Sequence, residues 1–203
     1  MMSESSLRNW WDREAEADVR YKTLAWGGDG TPEQVQPTID AILENLEIFM
    51  TDDWPVKDVW EIGCGPGRLL RRFAAAHPER EFFGSDISQA MLDLGGEWPA
   101  NVTVGLNDEP MFMCDVGLVY SVEVMQHLEP DDVDFWLRWA VSVLCEGGVA
   151  LVQYVVGVDD GVWMCHPIQA QAIEKMACDA GFTVLPVVLD RVHDDWGWLV
   201  LQK

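Results

Sequence analysis

From residue 56 onward, short apolar runs of strand length give way repeatedly to stretches with a 3.6-residue hydrophobic rhythm. Runs at 56–62, 81–85, 102–106, 116–122 and 149–156 predict strands, and 68–76, 88–94, 130–144 and 168–180 predict helices. In 130–144 the side chains of Val133, Trp136, Ala140 and Val143 share one face, and Gly147-Gly148 reads as the stop. Alternation of this kind implies a doubly wound α/β fold, with helices on both faces of a mostly parallel sheet. The end of the chain breaks the rhythm. Strands at 182–189 and 196–202 are separated only by residues 190–195, too few for a helical crossover, which takes about a dozen residues. The last strand is therefore expected to run antiparallel to its predecessor.

The first 30 residues form a polar, tryptophan-bearing lead-in that ends in Gly27-Gly28-Asp29-Gly30. Thr31-Pro32-Glu33-Gln34 then reads as a helix start with a Thr cap and a Gln three residues on. Ile39, Ile42, Leu43 and Leu46 follow at helical spacing, and Pro37 predicts a kink or restart. The expected organisation is a helical cover over residues 1–50 and one α/β unit over 51–203. The opening MMSESSLRNWWDREAEADVR lacks the apolar stretch of a signal peptide, and no apolar run approaches the ~20 residues of a membrane span. The expected location is cytoplasmic.

Charge narrows the partners. Thirteen Lys and Arg against 35 Asp and Glu give a net charge of -22 over 203 residues. Duplex nucleic acid and anionic membranes are bound through Lys and Arg, so both are disfavoured. Arg68, Arg71 and Arg72 form the one tight cationic cluster. An acid-rich, Lys-poor surface suits a high-salt setting, and solubility alone also explains it. The five cysteines, Cys64, Cys114, Cys145, Cys165 and Cys178, are scattered without a CxxC pair, so neither a metal site nor a disulfide framework is expected.

The chemistry concentrates where the first strand turns into a helix. Glycines there let the backbone adopt positive φ and approach a ligand, although a tight turn with no ligand has the same composition. A nicotinamide fingerprint wants Gly at position 68, which is Arg68 here. Glu61, ending the first strand, is badly placed against a pyrophosphate and well placed against a cation or amine. Asp86 ends the second strand, where a carboxylate can accept two ribose hydroxyls, or simply cap the helix at Ser88.

At this point the chain resembles the class I S-adenosylmethionine-dependent methyltransferases, particularly the small-molecule branch of types 11 and 12. Glu61-Ile62-Gly63-Cys64-Gly65-Pro66-Gly67 is similar to their E-x-G-x-G-x-G motif, and Gly84-Ser85-Asp86-Ile87-Ser88-Gln89-Ala90-Met91-Leu92 to G-x-D-x-S-x-x-M-L. The segment from Asp115 to Leu128, Leu144 to Gly148 and Ala180-Gly181-Phe182 match further landmarks. The resemblance covers about residues 55–203. It implies a seven-stranded, Rossmann-like sheet with the last strand antiparallel, and S-adenosyl-L-methionine as cofactor, leaving S-adenosyl-L-homocysteine. It also implies that Glu61 meets the methionine amine, with Gly63, Cys64 and Gly65 along the methionine and ribose. Asp86 would bind ribose, Ile87 would pack on adenine, and Ser121 would offer backbone near the methionine end. Asn107 or Asp108 would face the adenine amine, the family's Gly-Asp pair being replaced here by Asn-Asp.

Two regions remain for an acceptor. His127 follows the fourth strand at the carboxyl edge of the sheet and is a candidate base, or a packing histidine. Tyr154, Asp159, Asp160, Trp163 and His166 lie on a loop over the same edge, whose plainer reading is a connection. Trp10, Trp11, Tyr21 and Trp26 are candidates for an aromatic lid, or for core staples. The expected activity is methyl transfer to an O, N or C nucleophile of a small molecule. The rivals are methylation of a protein side chain, and a nonenzymatic partner that merely binds S-adenosylmethionine. Acceptor loops vary freely on one scaffold, so acceptor identity is not legible here.

Overall fold

The computed structural model describes residues 4–17, 31–51, 54, 58–107, 115–156, 167–189 and 192–203. Seven strands form one mixed sheet: β1 (Val59–Ile62), β2 (Phe82–Asp86), β3 (Val102–Leu106), β4 (Val116–Ser121), β5 (Leu144–Val155), β6 (Thr183–Leu185) and β7 (Trp196–Gln202). Their order is β3-β2-β1-β4-β5-β7-β6. Six helices accompany them among the described residues: α1 (Glu4–Glu16), α2 (Pro32–Glu47), α3 (Arg68–Ala76), α4 (Gln89–Leu94), α5 (Pro130–Val143) and α6 (Ala170–Ala180). β2 and β3 pair parallel, as do β4 and β5, whereas β7 is antiparallel to both β5 and β6. The reversal expected from the short 190–195 connection is present.

The chain divides into two compact units, residues 1–44 with 60–113, and residues 45–59 with 114–203. In the first, α2 begins on a reciprocal cap. The Gln34 amide donates to Thr31 Oγ1, and the Thr31 amide donates to Gln34 Oε1. The helix continues through Pro37 as one element instead of restarting there. Its apolar positions Val35, Ile39, Ile42 and Leu46 are buried at helical spacing. β1 and β2 are buried along their whole length, the polar Glu61, Ser85 and Asp86 near their carboxyl ends included.

In the second unit, α5 buries Val133, Trp136, Leu137, Ala140 and Val143. The expected stop at Gly147-Gly148 falls elsewhere: α5 ends at Val143, and both glycines lie inside β5. Val116 pairs with Leu144 but Leu118 with Val149, so β5 carries extra residues as a bulge. Gly147, at φ 76°, supplies the left-handed turn that this bulge requires. β6 is shorter than the expected 182–189 because Pro186, with no N–H, ends the ladder.

Three cations pair with acids on exposed faces: Arg72 with Asp40 at 2.7 Å, Arg138 with Asp134 at 2.8 Å, and Lys175 with Asp179. Such pairs contribute little, and 13 cations cannot neutralise 35 acids. Salt screens exposed charges beyond about 10 Å at 0.1 M, so the melting temperature is expected to rise from low to molar sodium chloride. A flat or falling thermal-denaturation curve contradicts this. Among the described residues no helix is long and apolar enough to cross a membrane, and no group of three or more His, Cys, Asp or Glu could hold a metal.

Candidate functional site

In the first unit, the loop between β1 and α3 folds around three glycines in the left-handed region: Gly63 at φ 72°, Gly65 at 51° and Gly67 at 77°. The Gly63 and Cys64 amides both donate to Ser85 O, at 2.7 and 3.0 Å, tying the loop to β2. Trp60 Nε1 adds a 3.2 Å bond to Ser85 Oγ. Gly67 is doubly required, since a Cβ there would lie 2.2 Å from the ring of Trp98. The Trp98 ring in turn carries the Arg71 guanidinium at 4.2 Å, which donates to the carbonyls of Gly95 and Glu97. Gly67→Ala is expected to cost about 2–4 kcal/mol through strain and overpacking. Urea unfolding checks this, and a midpoint equal to wild type would refute it.

Asp86 is the centre of this half. It ends β2 with 8% exposure, its Oδ2 accepting from the Gly65 amide at 2.9 Å and its Oδ1 from the Ser88 amide at 2.9 Å. Burial raises its carboxyl, and the amides of Ser88, Gly65 and Ile87 and the charge of Arg68 oppose this, leaving it pushed up to about 6. The helix cap belongs to Ser88 itself, whose Oγ accepts from the Met91 amide at 3.1 Å. That hydroxyl also donates to Asp12 Oδ1 at 2.5 Å, fastening α1 beside α4. Trp10 and Trp11 lie on α1, with ring centroids 4.4 Å apart, edge to face.

Around Asp86 stand the other residues expected from the motifs. Glu61 is 3% exposed at the end of β1, and Ile87 is half-buried. The Asn107 amide donates to Asp86 O at 2.9 Å, and its buried Oδ1 has no hydrogen-bond partner. Cys64 turns its thiol inward: a Cβ on Gly84 would lie 2.8 Å from Sγ. Burial first, then the carboxylates of Glu61 and Asp86, push that thiol well above its ordinary range, so only the Cys64 backbone can serve a ligand. Asp108, Tyr21, Trp26, Asp159, Asp160, Trp163 and His166 lie outside the described residues.

In the second unit, Ser121 ends β4 at 1% exposure, its hydroxyl without a partner. Two residues on, Glu123 takes φ 61°, and its amide donates to Gln153 Oε1 at 2.7 Å. Positive φ at a residue other than glycine stores strain, a feature that gathers at functional sites. A single 3₁₀ turn, Met125–His127, follows, and half-buried His127 closes it through an amide bond to Val124 O at 2.9 Å. Tyr154 is 5% exposed, and its ring lies across Gly197, where a Cβ would be 2.3 Å from the ring. The sequence reading passed over Gln126, Gln153 and Trp198. Gln153 carried a legible signal, a carboxamide inside an otherwise apolar strand.

Comparison with known proteins agrees with this geometry. Residues 60–150 match the family model of a methyltransferase domain. The malonyl-[acyl-carrier protein] O-methyltransferase of Hahella chejuensis is 25% identical over 142 residues, 62% of this chain. The chain spans about half the length of that relative, 50%. Magnesium protoporphyrin IX methyltransferase from Synechocystis PCC 6803, solved with bound S-adenosylhomocysteine, superposes with a TM-score of 0.74 at 15% identity, covering 99% of this chain and 100% of that one. A TehB-like S-adenosylmethionine-dependent methyltransferase from Corynebacterium glutamicum gives 0.65 at 16% identity, covering 94% and 97%. The [4+2]-cyclase SpnF gives 0.70 at 18% identity, covering 90% and 73%, so likeness at this level speaks for the fold and not the reaction. Residues 60–150 thus match a methyltransferase domain, and the fold of the chain is the one seen in S-adenosylmethionine-dependent methyltransferases.

Proposed function

We infer that the chain transfers a methyl group from S-adenosylmethionine to an O, N or C nucleophile of a small-molecule acceptor. The observation that carries this is Asp86: a buried carboxylate at the end of β2, oriented by the Gly65 and Ser88 amides. When bound, S-adenosylmethionine supplies a methyl on a sulfonium, a leaving group already activated. The residues present fit it. Asp86 can accept two ribose hydroxyls, and Asn107 Oδ1, lacking a donor, suits the adenine amine. Asp108, the other candidate for the adenine amine, lies outside the described residues. Ile87 packs on the base, Glu61 meets the methionine ammonium, and the Gly63–Gly65 backbone and Ser121 follow the methionine end.

Most of the acceleration then comes from holding the acceptor nucleophile in line with the methyl. A base is needed only where the acceptor is protonated at neutral pH, and His127 fills that role. Residues 1–50 act as a cover, α1 being fastened by the Asp12–Ser88 bond and presenting Trp10 and Trp11. Tyr21, Tyr154, Trp163 and His166 complete the acceptor side in this reading. Excluding water protects the sulfonium and sharpens orientation.

Incubating the chain with methyl-labelled S-adenosylmethionine and a mixed metabolite extract tests the proposal. The expected result is label in a low-molecular-weight product with equimolar S-adenosylhomocysteine. Label found only in protein supports the side-chain rival, and no turnover with any fraction overturns the enzymatic reading.

A further inference from the structure

Between Val149 and Val155, Gln153 is the one residue with a carboxamide, and it is 0% exposed. Its orientation is fixed. Oε1 accepts from the Glu123 amide at 2.7 Å, and a flipped carboxamide would set Nε2 against that same N–H. The two N–H groups on Nε2 are left without an acceptor among the described residues. Opposite Gln153 in the antiparallel register stands Trp198, whose buried indole Nε1 also lacks a partner. Register partners share a face of the sheet, with Cβ atoms about 4.5–5.5 Å apart. Two side chains with unmet donors therefore share one face of the sheet, and buried donors are rarely left unmade because each costs its full desolvation.

The same face continues as Val155 and Trp196, the next pair toward the carboxyl end of β5. Trp196 and Trp198 have ring centroids 6.4 Å apart, and His193 meets Trp196 edge-on at 4.8 Å. The result is an aromatic wall carrying two N–H donors.

We propose that Gln153 and Trp198 form a subsite of the second unit for the methyl acceptor, which presents to them an sp² oxygen, a carbonyl or carboxylate. This rests on the methyltransferase reading. An ammonium or aliphatic amine cannot satisfy two N–H donors, whereas an sp² oxygen has two lone pairs for them. A planar acceptor also packs against the half-buried Trp198 ring, which fully buried Trp196 backs.

The test uses the ¹⁵N-labelled chain saturated with S-adenosylhomocysteine, whose binding is measured separately by calorimetry. The indole N–H of Trp198 is identified by its loss in Trp198→Phe. Benzoate, benzamide and benzylamine are the probes. The expected result is a saturable downfield shift of the Trp198 indole and Gln153 carboxamide protons with benzoate or benzamide, and none with benzylamine. Which oxygen probe binds tells carboxylate from neutral carbonyl. Trp198→Phe and Gln153→Glu, the latter keeping an oxygen for the Glu123 amide, weaken probe binding about tenfold or more and leave S-adenosylhomocysteine affinity unchanged. Resonances unmoved by both oxygen probes, as when only water fills the site, overturn the proposal, and so do equal shifts with benzylamine. If S-adenosylhomocysteine itself fails to bind, the cofactor reading falls while the probe titration still decides the subsite.

Discussion

Alanine at position 127 is expected to lower turnover by ~10²–10⁴ with a hydroxyl or ammonium acceptor, the range that general-base removal ordinarily produces. S-adenosylmethionine binding should stay nearly intact, because the cofactor residues around Asp86 belong to other elements. A neutral imidazole can take the proton that such an acceptor loses, so His127→Ala should lose the base-assisted part of the rate. The half-buried setting of His127 at the end of the 3₁₀ turn after β4 gives it both a fixed backbone and access. A His127→Ala enzyme with normal turnover would assign the residue to packing.

Asp86→Ala is expected to reduce S-adenosylhomocysteine affinity ten- to a hundredfold, since two hydroxyl bonds to a charged group contribute about 1.5–3 kcal/mol. The carboxylate also accepts the Gly65 and Ser88 amides, so the melting temperature is measured alongside affinity to separate ligand loss from loop loosening. Burial pushes the Asp86 carboxyl up to about 6, so the folded chain keeps this proton to higher pH than the unfolded chain does. Its contribution to stability is greatest below about pH 4, declines as pH rises through about 6, and stays lost above. At neutral pH the buried carboxylate works against folding by roughly 3 kcal/mol. A substitution that impairs binding without lowering the melting temperature at pH 7.5 is the signature of a residue kept for the ligand. Equal affinity in Asp86→Ala and wild type would remove the ribose assignment.

The elements nearest the site were the most legible in the sequence. α3 and β3 have the expected bounds, because a strongly amphipathic helix and a short apolar run bounded by polar residues both show in the residue pattern, even though β3 is an edge strand with only Val102 buried. The reversed last strand followed from chain length alone, and the Thr31–Gln34 cap from two residue types three positions apart. What failed did so where a local signal has two uses. Gly147 serves a bulge as readily as a helix stop, and only the pairing of Leu118 with Val149 shows which. Pro37 breaks a helix by propensity, yet α2 carries it, held by buried Val35, Ile39 and Ile42. Within the site, Asp86 and the three glycines were readable because a motif fixes them relative to one another. The Gln153–Trp198 pair was not, because it depends on the register between two strands 45 positions apart along the chain.

The most direct test of the cofactor reading is a calorimetric titration of S-adenosylhomocysteine into the wild-type chain from pH 5 to pH 8. Ribose hydroxyls donate to the ionised carboxylate, so below about pH 6 binding must first displace the Asp86 proton. Affinity should therefore be level above about 6.5 and fall by up to tenfold per unit below 6, with proton release on binding in that range. Asp86→Ala should bind weakly with no such slope. Absence of binding at pH 7.5, or a wild-type affinity identical at pH 5 and pH 7.5, would contradict the account.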